Sequence, residues 1–354
     1  MRRLPLAVAV VAIVAVALTA GLYTLGRVVG VGPFSPGVPT SWIFTAISRS
    51  GEEGDAREVE VIDLASGERQ LFPVDDRTFE LALSHDRRTL YVGTSNARIF
   101  ELDALRGTFL GEIKLSGGGD VRRIVVLPDN RQLLAVTTGA VDATVSLIDL
   151  GLHREKATLA LGNRLIGPSV AGNEVVLSSS DRASVEQLLT LQLDPLRVRA
   201  ETFLTTLVPA TGPRTAAPVL ALTSDGSIVA LSPIGLRLSI LPPGSSDRRS
   251  ADVPFSFRPA QLVPGFDGDL ILAQSESVIH FCVGTGQRAE RYVASRETLK
   301  VQRTGTDCGR YARAGDGRLY LAVRGKPELR ELDPATGQLQ RTLALAGFPQ
   351  RVSY

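Results

Sequence analysis

The chain has 354 residues and a formal net charge of +2, with 44% hydrophobic and 21% charged residues. This composition is typical of a globular protein and excludes a disordered chain; the near-neutral charge gives no basis for nucleic-acid binding. The two cysteines cannot form a c-type haem attachment motif or a four-cysteine metal site.

The first predicted element is an uncharged, apolar segment at residues 4–26. Its 23 residues, at about 1.5 Å each, reach roughly 34 Å, enough to cross a hydrocarbon layer of about 30 Å. Arg2 and Arg3 precede the segment, so we expect residues 1–26 to be a cytoplasmic tip and a transmembrane signal anchor in the cell membrane, with the remaining chain extracytoplasmic. The alternative is a cleaved signal peptide, with small-residue sites near residues 15–20, which would leave a secreted protein.

Residues 27–41 are rich in Gly and Pro, which predicts a linker, and residues 42–354 form the predicted domain. In this domain, a run of alternating apolar residues closed by a turn recurs seven times at spacings of 40–51 residues. A period in the forties with several short strands per unit is typical of a β-propeller, in which each blade is a four-stranded sheet. The copies are VEVIDLASG, IFELDALRG, TVSLIDLG, LTLQLDP, LRLSILPPG, VIHFCVGTG and LRELDPATG.

Each repeat is expected to supply four antiparallel strands, and each copy of the recurring phrase is interpreted as the third strand with its following turn. Asp, Asn and Gly recur in the turns: Asp and Asn can accept hydrogen bonds from the turn backbone, and Gly can adopt positive φ. We therefore interpret the turn aspartates as structural. The turns between first and second strands are predicted at SHDRR, LPDNRQ, TSDGS, GFDGD and AGDGR, and those after third strands at LASG, ALRG, VGTG and PATG.

The sequence also indicates how the ring closes. The first repeat, which begins at Trp42, lacks a first strand, whereas residues 348–354 at the end of the chain have the pattern of one. We expect these residues to pair with the strand from Trp42, because this pairing removes two exposed sheet edges. The predicted fold is an all-β, seven-bladed propeller of four-stranded antiparallel blades, preceded by one transmembrane helix.

The phrases LYVGTS from Leu90 and VSLIDL from Val145 resemble the YVTN-type family of seven-bladed propellers, which is similar to the β-chain of quinoprotein amine dehydrogenases. The resemblance covers nearly all of residues 42–354 and implies a rigid extracytoplasmic ring used mostly for binding. DPATGQ from Asp333 looks like the blade motif of PQQ dehydrogenases, but the Trp that docks there is missing, since Trp42 is the only Trp. We therefore expect no cofactor.

The cysteines and histidines leave few options for a catalytic or metal site. Outside the cytoplasm, Cys282 and Cys308 can form one disulfide worth about 3 kcal/mol; two buried, unpaired thiols are the alternative. His85, His153 and His280 fall in different turns and strands, so we interpret them as structural and expect no metal site from them. No G-x-S-x-G motif occurs.

The long, irregular connections are predicted on one face of the ring, where binding loops are usually found. Insertions that bind nothing are the alternative, since loop closure costs little extra free energy as length grows. The leading expectation is a monomeric, non-enzymatic scaffold for a protein or cell-envelope ligand; the alternative is a propeller enzyme, such as a metal-dependent hydrolase or lactonase, with a site in the central channel. The candidate binding-face residues are Arg49, Glu52, Glu53, Asp120, Asp181, Arg182, Arg214, Arg296 and Lys300.

Overall fold

The computed structural model describes residues 37–51, 55–139, 142–162, 165–171, 175–180, 186–204, 217–232, 237–243, 248–254, 269–285 and 288–353. These residues form strands and turns, which confirms the all-β expectation for this part of the chain. The anchor predicted at residues 4–26 lies outside the described residues. Within the ranges given above, the chain has no helix of the length and apolar character that a membrane span needs.

The strands alternate with short connections along the described chain. They are β1 (Trp42–Ser48), β2 (Ala56–Asp63), β3 (Arg69–Leu83), β4 (Thr89–Thr94), β5 (Arg98–Asp103), β6 (Phe109–Lys114), β7 (Asp120–Val126), β8 (Gln132–Thr138), β9 (Ala143–Asp149), β10 (Arg154–Gly162), β11 (Leu165–Ala171), β12 (Val175–Ser180), β13 (Glu186–Leu193), β14 (Leu196–Phe203), β15 (Val219–Leu222), β16 (Ile228–Ser232), β17 (Arg237–Leu241), β18 (Arg249–Asp252), β19 (Leu270–Ala273), β20 (Val278–Thr285), β21 (Arg288–Ser295), β22 (Val301–Gly305), β23 (Gly309–Arg313), β24 (Leu319–Val323), β25 (Glu328–Leu332), β26 (Leu339–Ala344) and β27 (Phe348–Ser353).

These strands make six antiparallel sheets, of which five have four strands each. The sixth has seven strands in the order β27-β1-β2-β3-β4-β5-β6. Its long central strand β3 changes partner along its length: residues 69–73 pair with β2, residues 80–83 pair with β4, and Thr78 pairs with both. A single continuous strand therefore serves as the outermost strand of one four-stranded unit and the innermost strand of the next.

The innermost strands form a closed ring around a central channel. Contacts run from β3 through β7, β11, β15, β19 and β23 to β27, and β27 contacts β3. Middle strands are buried on both faces because each sheet packs between two neighbours. All residues of β1 and β24 are buried. The outermost strands β14 and β26 are mostly exposed. This gradient from buried inner strands to exposed outer strands agrees with a propeller-like arrangement.

The last strand joins the two ends of the domain. β27 pairs antiparallel with β1, with Phe44 opposite Ser353 and Ser48 opposite Phe348. The segment that we expected to close the ring thus provides the strand missing from the first repeat, over the described residues 348–353. The pairing gives β1 a hydrogen-bonded neighbour on each side.

The recurring aspartates shape the turns that follow third strands. At Asp333, the side-chain Oδ1 accepts the backbone N–H groups of Ala335 and Thr336, and its carbonyl accepts the N–H of Gly337 at 2.8 Å. Gly337 has a φ of 69°, which favours Gly at this position. Asp63 and Asp103 make the corresponding backbone bonds to the glycines four residues on. The structural interpretation of these aspartates agrees with the geometry.

The sixth copy of the recurring phrase was placed wrongly. VIHFCVGT forms β20, which is the second strand of its sheet, and the third strand is β21. The turn after β21 has the same backbone bonds as the aspartate turns, because Leu299 N–H donates to the Ser295 carbonyl at 2.8 Å. Ser295 replaces the Asp and Leu299, with a φ of 55°, replaces the Gly. Without those two residue types, the pattern pointed to VGTG instead.

The error extends to the start of the same repeat. GFDGD was predicted as a turn between first and second strands, but Asp269, its last residue, directly precedes the first strand, β19. The remaining residues of that motif lie outside the described part of the chain. The turn between β19 and β20 instead covers residues 274–277 and includes three residues with positive φ, Gln274, Ser275 and Glu276.

The structure joins Cys282 and Cys308 in a disulfide, with their Cα atoms 5.6 Å apart. Cys282 lies in β20, and Cys308 immediately precedes β23, the first strand of the next sheet. The bond therefore connects two neighbouring sheets, and both cysteines are buried.

Candidate active site in the central channel

A cavity of about 270 Å³ lies in the central channel. Six of the innermost strands contribute to its wall, namely β3, β7, β15, β19, β23 and β27. Asp269, which directly precedes β19, also contributes. Six of its lining residues are polar or charged, so the channel is not an apolar plug. The lining residues are Glu80, Arg123, Ile124, Val125, Leu220, Asp269, Leu270, Ile271, Arg310, Tyr311, Arg351 and Val352.

Three β-bulges lie at the charged positions of consecutive inner strands. The pairing of β3 with β4 skips Phe79, that of β7 with β8 skips Arg122, and that of β27 with β1 skips Gln350. The residue after each skipped position is a charged lining residue of the cavity. A bulge redirects side chains and is over-represented beside active sites, so this local irregularity brings charge into a channel that regular alternation would line differently. The charged residues are Glu80, Arg123 and Arg351.

These three side chains lie on consecutive strands of the ring and form one cluster. Glu80 Oε2 lies 3.2 Å from Arg123 Nη1 and 3.9 Å from Arg351 Nε. The side chains are 15%, 7% and 11% exposed, respectively. Because water screens such charges poorly, Glu80 is held as the common anionic partner of two guanidinium groups from the innermost strands on either side of β3, which are β7 and β27.

Two of the skipped residues, Phe79 and Arg122, contact each other. The Arg122 guanidinium lies 4.2 Å from the ring centroid of Phe79, and its Nη2 donates to Asp120 at 2.7 Å. A cation over an aromatic face is attracted by the ring quadrupole. Two neighbouring bulges are thus tied together by the residues that create them, which fixes the strands that carry Glu80 and Arg123.

A second charged pair lies on another part of the wall. Arg310 Nη1 donates to Asp269 Oδ1 at 2.5 Å, and the Tyr311 backbone N–H donates to Asp269 Oδ2 at 3.1 Å. The Asp269 side chain is 28% exposed, more than that of Glu80. Asp269 is therefore the channel carboxylate with more access to solvent. Burial raises the pKa of Tyr311, so its hydroxyl stays protonated.

The other half of the lining is apolar and consists of Ile124, Val125, Leu220, Leu270, Ile271 and Val352. Three guanidinium groups and two carboxylates line the described cavity, which leaves an excess of one positive charge. Fixed positive charge in a partly desolvated cavity favours an anionic group or a reaction in which negative charge develops. The arrangement can orient a polar ligand between an apolar wall and two carboxylate–arginine groups.

The sequence predictions did not include these residues. Glu80, Arg123 and Arg310 each lie four residues before the residue that begins the turn to the second strand, namely Ser84, Leu127 and Ala314. An alignment of the repeats on those turns shows a charged residue at the same position in these three repeats, whereas Val219 holds that position in β15. Asp269 could not be found this way, because it lies five residues before Gln274, where the turn after β19 begins, and Leu270 occupies the fourth position.

The predicted binding-face residues fall into three groups. Arg49 follows β1 and donates to Glu58 at 2.6 Å and to the Ala346 carbonyl at 2.7 Å; Asp120 begins β7. Arg296 and Lys300 lie in the turn between β21 and β22, so they belong to the face of the tight turns and not to the face where they were predicted. Those outside the described residues are Glu52, Glu53, Asp181, Arg182 and Arg214.

The histidines make structural contacts at separate places. His85 Nε2 is 3.3 Å from the Val126 carbonyl, His153 Nδ1 is 2.7 Å from Glu101, and His280 Nε2 is 2.7 Å from the Pro334 carbonyl. Burial lowers the pKa of His280, which favours the neutral ring. Over the part of the chain that the structure describes, no three side chains of His, Cys, Asp or Glu are grouped to hold a metal ion.

No protein-family model and no curated protein sequence matches the chain. Solved structures do match its fold. A proposed 6-phosphogluconolactonase from Bacteroides fragilis has a TM-score of 0.63 at 14% identity, over 88% of this chain and 96% of that one. The periplasmic gluconolactonase of Pseudomonas aeruginosa has a TM-score of 0.62 at 14% identity, over 88% and 98%. The β-propeller domain of Cps50 (Swd1) from Myceliophteria thermophila has a TM-score of 0.51 at 11% identity, over 75% and 86%.

These similarities show a propeller-like fold, as expected from the repeats. They also correct the functional expectation. Two of the three proteins are named as lactonases, and the channel is lined with paired charges. The leading expectation of a non-enzymatic scaffold was wrong, and the findings favour its alternative, a propeller enzyme. The error arose because the charged channel residues come from different repeats and form no local motif.

Proposed function

We propose that this chain is a propeller enzyme that hydrolyses a cyclic ester in its central channel. The observation that carries the proposal is the group of paired charges there, in which Asp269 is bound by Arg310, and Glu80 is bound by Arg123 and Arg351. Buried polar groups that face an open cavity are the usual mark of a ligand site, whereas a purely structural core would be apolar. The lactonases of similar fold support this choice of reaction.

The residues can divide the chemistry of lactone hydrolysis between them. Asp269, the more exposed carboxylate, takes a proton from a water molecule. The oxygen of that water molecule attacks the carbonyl carbon of the lactone at the same time. The guanidinium groups stabilise the negative charge that develops on the carbonyl oxygen. The bond between the carbonyl carbon and the ring oxygen then breaks, the ring oxygen receives the proton from Asp269, and a hydroxy acid is formed.

The charge and shape of the cavity support a sugar lactone as substrate. The excess positive charge favours substrates and products with an anionic group, and the product of every lactone hydrolysis is a carboxylate. A cavity of about 270 Å³ is at the small end for ligand sites, which suits a single sugar ring. We propose a gluconolactone-type substrate, with or without phosphate.

Several finer features belong to the same proposal. The division of the seven-stranded sheet at β3 supports a count of seven blades, and the YVTN-type phrases support that family. The disulfide supports an extracytoplasmic location, because disulfides persist in oxidising compartments. We propose a monomeric enzyme held at the membrane by residues 4–26, or secreted if that segment is cleaved.

The test is an assay of purified protein with glucono-δ-lactone and its 6-phosphate, which follows proton release. Asp269→Asn should lower kcat about 10²- to 10⁴-fold, the usual contribution of a general base. Asp316→Asn is the matched control, because Asp316 is an exposed turn aspartate paired with Arg318; we expect it to leave kcat unchanged. Absence of lactone hydrolysis by the wild type, or equal rates in the two variants, would contradict the proposal. A requirement for added Ca²⁺ would favour a metal-dependent form of the reaction.

A further inference from the structure

The disulfide lies directly behind the wall of the channel. Cys308 is two residues before Arg310, and Cys282 Sγ is 3.6 Å from the hydroxyl oxygen of Tyr311. On the same strand as Cys282, the ring of His280 lies 6.2 Å from the ring of Tyr311. Because His280 and Cys282 are two residues apart, they face the same side of β20, and together they support Tyr311 from behind.

The chain between the disulfide and Arg310 has little freedom. The Cys308 carbonyl accepts the Arg324 N–H at 3.0 Å. Gly309 packs so closely on β24 that an added Cβ would collide with the Ala322 carbonyl oxygen. The position of Cys308 is therefore transmitted through one closely packed residue to Arg310.

The disulfide and the Arg310–Asp269 pair cross the same boundary. Cys282 and Asp269 belong to the sheet that begins with β19, and Cys308 and Arg310 belong to the sheet that begins with β23. The covalent bond thus ties β20, which pairs with β19, to the residue that precedes β23. It crosses the same boundary between sheets that the ion pair of Arg310 with Asp269 bridges at 2.5 Å. A charge-assisted hydrogen bond of this kind depends strongly on distance and angle.

We propose that the Cys282–Cys308 disulfide is a positioning element that holds Arg310 in register with Asp269. The inference rests on the proposed function, because it assigns the disulfide to the same channel site. Reduction of this bond would leave two buried thiols and a boundary held by packing alone. Reduction would then mainly change the position of Arg310 relative to Asp269. It would therefore lower kcat, with a smaller effect on KM.

The kinetic test is a double-mutant cycle that combines Cys282→Ser/Cys308→Ser with Arg310→Ala. The paired serine substitution should lower kcat about 10- to 100-fold, as expected for a displacement of about 1 Å at a reacting group. In the Arg310→Ala background the two serine substitutions should lower kcat by less than about threefold further, because the guanidinium group that the disulfide positions is gone. In a control background, Arg237→Ala, which removes one partner of an exposed ion pair with Asp252, the full loss of kcat should return. A loss of equal size in the Arg310→Ala background would overturn the proposal, as would no loss in the wild-type background.

A second measurement covers the case in which the serine variant does not fold. Folded wild-type protein is reduced with dithiothreitol, which supplies two electrons and two protons and leaves as its cyclic disulfide, and thiol titration confirms two free cysteines. The Nε–H resonance of Arg310, assigned with Arg310→Lys, should shift or broaden, whereas that of Arg123 should remain. An unchanged Arg310 resonance would overturn the positioning role. Because this readout needs no turnover, it distinguishes failure of the positioning role from failure of the lactonase function.

Discussion

Glu80 illustrates how one side chain stabilises the channel. Its carboxylate is the common partner of Arg123 and Arg351, and all three side chains are at most 15% exposed. Burying a charge without a partner is strongly destabilising, whereas a satisfied buried pair is close to neutral. The cluster is therefore not evidence of extra stability, but its parts depend on each other.

Replacement of Glu80 by Gln should destabilise the fold. The change removes the negative charge and leaves two buried guanidinium groups with weaker partners, which costs about 3–5 kcal/mol. Urea unfolding measures the loss. The matched control is Asp252→Asn, which breaks the exposed pair with Arg237 and should cost about 0–1 kcal/mol. If the two variants lose similar stability, the channel cluster is not a buried unit.

The channel residues also show what could be predicted at the scale of single residues. The turn aspartates, such as Asp333, were identified because each acts on the backbone within four residues of itself. Glu80 and Asp269 act on arginines 43 and 41 residues away. Such contacts are set by the ring and leave no local spacing, although the charged residue at the same position before the turn in three repeats gave a partial signal.

At the scale of strands and turns, Ser295 shows why one repeat was misaligned. The turn after β21 keeps the backbone hydrogen bonds of the aspartate turns, although Ser and Leu occupy the positions of Asp and Gly. The conformation of Leu299, with a φ of 55°, is one that Gly adopts more readily. Tertiary packing thus imposes the turn where the local sequence does not favour it.

The Asp333 turn provides a prediction about pH. Hydrogen bonds from the backbone N–H of Thr336, together with those from its hydroxyl and from Ala335, hold the pKa of Asp333 below its ordinary value of 3.8. A carboxylate with a lowered pKa in the folded state stabilises the fold above the unfolded value, and this contribution is lost as pH falls through the folded value.

We expect wild type to have a higher Tm than Asp333→Asn at pH 7. The difference should narrow below a pH of about 4, because protonated Asp333 and Asn are then both neutral. Thermal unfolding monitored by circular dichroism at pH 7, 4 and 3 measures this. A difference that stays constant down to pH 3 would show that the charge of Asp333 does not contribute.

The closing strand gives the second prediction at this scale. Deleting residues 348–354 removes β27, which pairs with β1 and carries Arg351 into the channel. The truncated protein should unfold with lower cooperativity and aggregate, because β1 becomes an unpaired edge strand. The control is deletion of Tyr354 alone, which leaves the whole of β27. Unfolding is followed by calorimetry. If the two truncated proteins give the same trace, β27 does not have the proposed role in closure.

At the scale of the whole molecule, the repeat period predicted the architecture well and the function poorly. The period reflects one sheet repeated along the chain, and alternating apolar residues encode each strand locally. The channel is formed only when the innermost strands of successive repeats meet, so its chemistry depends on the closed ring. The long loops gave a more visible pattern than the channel, and for this reason the sequence favoured a binding scaffold.

The most direct test of the central claim is a crystal structure of the protein with D-gluconate, the product of glucono-δ-lactone hydrolysis. We predict that the carboxylate or hydroxyl groups of gluconate lie in the channel, within hydrogen-bond distance of Arg310 or Asp269, and that Arg310→Ala abolishes binding measured by calorimetry. Gluconate bound only at the loops on the ring faces, or binding unchanged by Arg310→Ala, would contradict the assignment of the active site to the channel.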